Sequence, residues 1–271
     1  MTTTNNKLAI IAGNGELTTT LAKSAIEQGF STTVIAVTEE AKQRLEGVCN
    51  KVYRFSPGEV SKIIEVAKNE MINQFVFIGK VPKLDFLWNL HKLDWLALKN
   101  LHRLKNYNDD SFHSSVIDFL SEYNIKVLPQ TFFLNHLFFE KEVLSKRKPT
   151  LEEKADIEYG YNLAKKVSGL DIGQTVVVKN RMILAIEAIE GTSEAIKRGC
   201  QLAKGEVVVV KVAKPSQDER FDIPTIGKET IETLVKNGGG VIAFEANKTL
   251  VVDKEKTIEL ADKYNICLIS I

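Results

Sequence analysis

The sequence predicts an α/β protein of two domains, with a parallel sheet in the first half and a mixed α/β unit in the second. Three observations predict it. In the first half, short apolar runs alternate with helix-like stretches, as parallel strands covered on both faces require. A polar, proline-bearing segment, SKRKPT (145–150), then interrupts the pattern. Beyond it the grammar changes to a hairpin followed by further strand-like runs, with helices between some of them.

The elements follow in order. KLAIIA (7–12) reads as a strand ending in Gly13-Asn14-Gly15-Glu16, and LTTTLAKSAIEQG reads as the helix after it. TTVIAV (32–37) and EEAKQRLEG repeat the pair. VYRF (52–55) is a third strand, and PGEVSKIIEVAKNEM has proline near a helix start with apolar residues three and four apart. QFVFIG (74–79) is the strongest strand of this half; helical stretches over 84–104 and 109–123 and a strand in IKVLP follow. The linker at 145–150 sets the expected domains at 1–147 and 148–271. Thr150 caps the next helix, with Glu153 completing a capping box. GQTVVV, KN and RMILAIEA predict a hairpin with Lys179-Asn180 at its tip. GEVVVVKV, GVIAFEA, TLVVD and NICLISI add four strands, and Pro224-Thr225-Ile226-Gly227 reads as a helix start before KETIETLVK.

Composition narrows the function classes. A chain of 271 residues with 44% hydrophobic content can bury a real core. With 36 Lys+Arg against 35 Asp+Glu there is no global basic field, which argues against nucleic acid as a partner. The three cysteines, Cys49, Cys200 and Cys267, form no CxxC pattern, which disfavours disulfides and a zinc site and fits the cytoplasm. No segment reads as a signal peptide or a membrane span.

Gly13-Asn14-Gly15-Glu16 sits between strand and helix, where backbone N–H groups attract phosphate; the alternative is a tight turn needing glycine for its backbone angles. The dinucleotide fingerprint would need glycine at Thr18. Glu39, after the second strand, is placed to meet a ribose hydroxyl. Gly79-Lys80-Val81-Pro82-Lys83 lies at a strand's carboxyl end, where open sheets bind ligands, or is an ordinary surface loop. Asn108-Asp109-Asp110-Ser111 caps a helix or holds a hard cation. The four histidines have no metal-ligand spacing, and GxSxG, HExxH and Walker A patterns are absent. The aromatic cluster Phe132, Phe133, Phe138 and Phe139 suits a core or an apolar groove. KPSQDERFDIPTIG (214–227) gathers Lys214, Asp218, Glu219, Arg220 and Asp222 behind four valines. Lys211, Lys214 and Arg220 can neutralise a diphosphate while Asp218 or Asp222 binds Mg²⁺ or orients water; the alternative is a solvated charged loop.

At these residues the sequence resembles the UDP-2,3-diacylglucosamine pyrophosphatases of the LpxI family, nearly end to end. KLAIIAGNGEL, FIGKV, NDDS, LDIGQTVVVKN, ILAIEAIEGTSEAIKR, VVKVAKPSQDERFDIPTIG and GVIAFEANKTLVVDKEKTIELAD carry the likeness. It implies a Rossmann-like N-terminal domain and a C-terminal α/β catalytic domain, with the lipid held between them. It further implies Mg²⁺-dependent hydrolysis to lipid X and UMP, water attacking the phosphorus nearer the sugar. The family's catalytic aspartate falls on Asp222, which is also the expected metal ligand. Substrate contacts are expected at Gly13, Asn14, Gly15, Gly79, Lys80, Asp110, Thr192, Lys211, Lys214 and Thr225. The expected partners are a lipid-nucleotide substrate and, peripherally, the inner-membrane surface; self-association is left open. The rival readings are an NAD(P)-dependent oxidoreductase and a non-catalytic nucleotide or lipid carrier.

Overall fold

The computed structural model describes residues 6–81, 93–101 and 109–271, the side chains of 99–101 and 109–112 excepted. The chain divides into two compact units. The first comprises residues up to Leu134 together with Asp218–Asp222, and the second comprises Asn135–Gln217 and Ile223–Ile271.

The first unit is built on five parallel strands: β1 (Lys7–Ala12), β2 (Ser31–Ala36), β3 (Lys51–Arg54), β4 (Gln74–Ile78) and β5 (Lys126–Val127). Their order is β3-β2-β1-β4-β5, that of a doubly wound sheet whose direction of winding reverses between β1 and β4. The helices Leu17–Glu27, Glu39–Leu45, Val60–Asn69, Trp95–Leu101 and Asp109–Ser121 intervene between strands. Strands β1 and β2 are buried on both faces, β2 including its Thr32 and Thr33; Leu8, Ala9, Ile10, Val34 and Ile35 are sealed from solvent. One face packs Ala9, Ile35, Ile63, Phe75 and Phe119 into a single cluster. Phe221 completes that cluster from 209 or more positions along the chain beyond β1. Of the aromatic residues singled out from sequence, Phe133 is buried and Phe132 is 53% exposed, and both ring edges meet Phe30.

The second unit carries a mixed six-stranded sheet. Its strands are β6 (Glu142–Val143), β7 (Thr175–Lys179), β8 (Met182–Ile186), β9 (Val208–Lys211), β11 (Val241–Phe244) and β13 (Cys267–Ser270), in the order β6-β13-β11-β9-β7-β8. The three central strands β13, β11 and β9 run parallel, while β7, β8 and β6 are antiparallel to their neighbours. A short parallel pair, β10 (Thr225–Ile226) with β12 (Leu250–Val251), stands beside it. The helix Leu151–Gly169 lies on one face and the helix Thr192–Ala203 on the other. A Cβ at Gly160 would come within 2.7 Å of Val210, and one at Gly199 within 2.5 Å of Val177, so each helix meets the sheet at a glycine.

Two expectations shift, and a third gains detail. The hairpin tip is Asn180-Arg181, one residue later than expected, because a two-residue turn of this hand needs positive φ at both positions (52° and 56°). The buried Asp156 accepts both of their amides, at 2.9 and 2.6 Å. The helix expected in KETIETLVK spans Lys228–Lys236 with Gly227 at its N-cap, and Thr225-Ile226 in the entry before it pairs as strand with Leu250-Val251. The units divide at 134/135 rather than 147/148, since Glu142-Val143 adds a strand to β13. The expected linker is tied down within the second unit. Ser145 Oγ accepts from Leu268 N at 2.8 Å, and Arg147 pairs with Glu153 and donates to Gly240 O. The capping box forms in full: Glu153 N donates to Thr150 Oγ1 (3.2 Å), and Thr150 N to Glu153 Oε2 (2.9 Å).

Candidate functional site

In the first unit, the β1 and β4 carboxyl ends converge where the winding reverses, the usual ligand position of such sheets. Asn14 N donates to Lys80 O and Lys80 N to Asn14 O, both at 2.8 Å, and Gly13 N donates to Ile78 O. The two chains are so close that a Cβ at Gly13 would stand 2.6 Å from Lys80 O, and one at Gly79 2.7 Å from Asn14 O. Glycine at 13 and 79 is therefore a demand of backbone packing. Gly15 N points to Glu40 Oε1 at 3.3 Å, a carboxylate that also accepts from Arg44 Nε at 2.7 Å. The amides of Gly13, Asn14 and Gly15 are thus engaged inside the chain. What the turn presents instead is Asn14 Oδ1, buried and without a partner among the described residues, and the exposed Lys80. Thr18, where a dinucleotide fingerprint needs glycine, is fully buried and returns its hydroxyl to Gly15 O at 2.7 Å. Glu39, expected near a ribose, is exposed and faces Arg54.

Asp110 lies in the first turn of the helix Asp109–Ser121, with its side chain outside the described residues; Asn108, Pro82 and Lys83 also lie outside them.

The segment Asp218–Asp222 belongs to the first unit. Phe221, 7% exposed, stacks on His113 with ring centroids 4.1 Å apart and planes 5° apart, and meets Phe77 at 5.2 Å. Glu219 is held from both ends: its carbonyl accepts from Gln130 N and its carboxylate from Thr131 Oγ1, each at 2.8 Å. Arg220 does not reach outward as expected. Its Nε and Nη2 take the two oxygens of Asp218 at 2.9 and 2.8 Å, the bidentate fork that guanidinium geometry favours. Burial acts to raise the Asp218 pKa, but the Arg220 hydrogen bonds and charge, with the His113 charge, outweigh it and hold the carboxyl below its ordinary range. Asp222, which ends the segment, is exposed. It adopts φ 46°, the left-handed region that a non-glycine residue enters only where its surroundings dictate it.

In the second unit, Lys211 ends β9, and its Nζ donates to Thr192 Oγ1 (3.1 Å) and to Thr225 O (3.0 Å). Thr192 opens the helix Thr192–Ala203 after Gly191 and donates to Glu187 Oε1 at 2.8 Å. Thr225 Oγ1 donates to Ile223 O. Lys214 forms an ion pair with Asp171, and its amide points to Gln217 Oε1. The structure thus joins Thr192, Lys211 and Thr225 in one network and ties Lys214 to a separate partner. Sequence reasoning passed over two residues here. Glu187 had no motif to mark it, sitting as one of two acids in AIEAIE. Glu245 accepts from Lys165 Nζ with both oxygens at 3.0 Å and from Ala213 N at 2.8 Å, fixing the chain just after Lys211.

Among the described residues no cluster of three or more His, Cys, Asp or Glu could enclose a metal. A cavity of about 330 Å³ is lined by Lys7, Ser31, Lys51 and Glu70, at the amino ends of β1–β3 and so opposite to the ligand end of the sheet.

Comparison with known proteins agrees with the sequence resemblance. Residues 7–137 match the family model described as the LpxI N-terminal domain, and residues 140–269 that described as the LpxI C-terminal domain. The UDP-2,3-diacylglucosamine pyrophosphatase LpxI of Caulobacter vibrioides is 29% identical over 274 residues, spanning 98% of this chain and 97% of that protein. A solved structure, the biotin carboxylase subunit of pyruvate carboxylase, aligns with 64% of this chain and 34% of its own. Its identity of 12% and TM-score of 0.29 are too low to bear on fold or function. With both domain models matched across nearly the whole length, the chain belongs to the LpxI family.

Proposed function

We propose that the protein hydrolyses the diphosphate bond of UDP-2,3-diacylglucosamine, releasing UMP and 2,3-diacylglucosamine 1-phosphate. The observation that carries this reading is the match of both domains to the family models, with an end-to-end relative bearing that activity in its name. The geometry supports it in two places. Lys211 is an ammonium positioned by two acceptors, as a group that stabilises developing phosphate charge should be. Asp222 is an exposed carboxylate following a buried anchor, which suits a residue that orients water or holds a cation.

Balanced, the reaction takes one water. Its oxygen bonds to the phosphorus nearer the glucosamine, the bond from that phosphorus to the bridging oxygen breaks, and UMP leaves with the bridging oxygen. Asp222 positions the water, and Lys211 with Thr192 takes up charge on the phosphoryl oxygens. Asn14 and Lys80, with Gly13, Gly15 and Gly79 setting the turn, serve the substrate at the sheet's carboxyl end; Lys214, Thr225 and Asp110 are the remaining substrate residues of this reading. In this reading Asp222 would be the protein's ligand to Mg²⁺. The ion takes one or two carboxylates and completes its shell with phosphate oxygens and water, so Asp222 can hold it without an all-protein cage. When bound it would neutralise charge on the diphosphate. A two-chain lipid also places the working protein peripherally at a membrane surface; no helix of the described residues is long and apolar enough to cross one.

Incubation of the purified protein with UDP-2,3-diacylglucosamine in detergent micelles, with UMP followed by chromatography, tests the reading. Run in ¹⁸O-labelled water, it should place the label in the lipid phosphate. Label in UMP instead would move the attack to the other phosphorus, and no UMP at all would end the proposal.

A further inference from the structure

The sheet of the second unit changes character at one end. Thr175 pairs in register with Lys211 on one side. On the other, one step past the Val176–Ile186 pair, its carbonyl accepts from Glu187 N at 2.8 Å. Side chains alternate along strands, so Thr175, Lys211 and Glu187 share the face of Val177, Val209 and Ala185. Those three belong to the apolar core. An apolar face therefore ends in a polar row across three adjacent strands, at the carboxyl end of β9.

Two atoms of that row have no partner among the described residues: Thr175 Oγ1, in a residue wholly shut from solvent, and Glu187 Oε2. Buried polar groups without partners weaken a fold, and valine at 175 or a non-ionic side chain at 187 would fill the same space. Glu187 also does more than occupy the row. Its Oε1 accepts a hydrogen bond from Thr192 Oγ1 at 2.8 Å, which turns a lone pair of that hydroxyl toward Lys211 Nζ at 3.1 Å. A lysine stem has four rotatable bonds, and its head is placed only where acceptors place it. Here the Thr225 carbonyl supplies one acceptor and Glu187, acting through Thr192, fixes the other. The backbone is fitted to this arrangement as well, for a Cβ at Gly173 would lie 2.0 Å from Glu187 O.

We propose that Glu187 is a positioning residue for Lys211: through the Thr192 hydroxyl it fixes the ammonium that meets a phosphate oxygen of the substrate. The inference rests on the diphosphatase reading for its substrate, but the coupling of Glu187 to Lys211 is a property of the chain itself. Glu187→Gln keeps an oxygen that accepts from Thr192, whereas Glu187→Ala removes it.

The test is a double-mutant cycle of Glu187→Ala and Lys211→Ala, with Glu187→Gln alongside, read by turnover and by binding of inorganic pyrophosphate in calorimetry. Each variant is first checked by thermal melting. Glu187→Ala should lower kcat by roughly 10- to 100-fold with KM changed much less, because the lost placement acts on charge that develops during reaction. Glu187→Gln should recover most of it. In the Lys211→Ala background Glu187→Ala should cost nothing further in either readout, because the two act as one unit. Additive losses, or no rescue by Glu187→Gln, overturn the proposal even if turnover is normal. Coupled losses in pyrophosphate binding by a protein that turns over no UDP-2,3-diacylglucosamine would uphold the positioning and end the substrate reading. A wild-type protein that neither turns over nor binds pyrophosphate overturns both.

Discussion

Replacing Phe221 by alanine should release the Asp218–Asp222 segment without touching the reacting groups. Phe221 is the segment's buried anchor, 7% exposed, stacked on His113 and tilted against Phe77. Burying a phenylalanine contributes about 1.5–3 kcal/mol, and aromatic pairing adds about 0.5–1.5 kcal/mol. The Glu219 bonds to Gln130 and Thr131 remain in the variant and hold the segment partly in place. A loss of about 3 kcal/mol raises the open population on the order of 100-fold. Trypsin reads that population directly at the Arg220–Phe221 bond, since cleavage of a transiently opened segment follows its opening equilibrium. Lys214 precedes Pro215 and offers no competing cut in the same stretch. Native-state proteolysis followed by mass spectrometry should therefore show cleavage after Arg220 rising about 100-fold in Phe221→Ala, with kcat falling as Asp222 loses its fixed place. Cleavage at the wild-type rate would show that Phe221 does not hold the segment, and the placement of Asp222 would need another cause.

Other perturbations have equally definite outcomes. Asp222→Ala should lower kcat by at least about 100-fold with the melting temperature little changed, because the residue is exposed; wild-type turnover would remove it from the catalytic role. Asp218 has a depressed pKa when folded, so its contribution to stability is full above the ordinary aspartate value of 3.8 and is lost as pH falls through the folded value. The stability gap between wild type and Asp218→Asn should therefore narrow as pH drops below about 4, as read by urea unfolding across pH; a constant gap would show that the Arg220 pairing does not act on stability. Burial raises all three thiols, with Cys200 and Cys267 pushed up to about 11. Native protein should thus be inert to a thiol-disulfide reagent at pH 8, and all three cysteines should react once guanidinium unfolds it; fast reaction of a native thiol would contradict that burial.

The legible parts of the fold were those that local pattern determines. β1 and β4 stand out because strands buried on both faces are apolar without interruption, and the Thr150–Glu153 capping box is a local motif. β6 and β10, two residues each, have no period to detect and exist only through their partners β13 and β12. The site was legible as a set of residue types but not as an arrangement. Phe221 crosses to a core built from residues more than ninety positions earlier, and nothing in DERFD announces that. Arg220 was counted with the phosphate-binding cations because spacing does not reveal that its fork closes on Asp218 two residues away. The amides of Gly13 and Asn14 looked available because the register that consumes them depends on the approach of β4. Glu187 gains its meaning from a pairing across three strands and from Thr192 at a helix start, neither of which a single sequence displays.

The measurement closest to the central claim is UMP release from UDP-2,3-diacylglucosamine by the metal-stripped protein, before and after Mg²⁺ is restored. The account predicts little or no UMP after EDTA treatment, recovery on adding Mg²⁺, and no recovery in Asp222→Ala. Mg²⁺ is called for because diphosphate charge beside a carboxylate needs a hard cation that shares phosphate oxygens. Full activity in the chelated protein would contradict the metal assignment. Absence of UMP under every condition, from a protein shown to be folded, would contradict the diphosphatase reading itself.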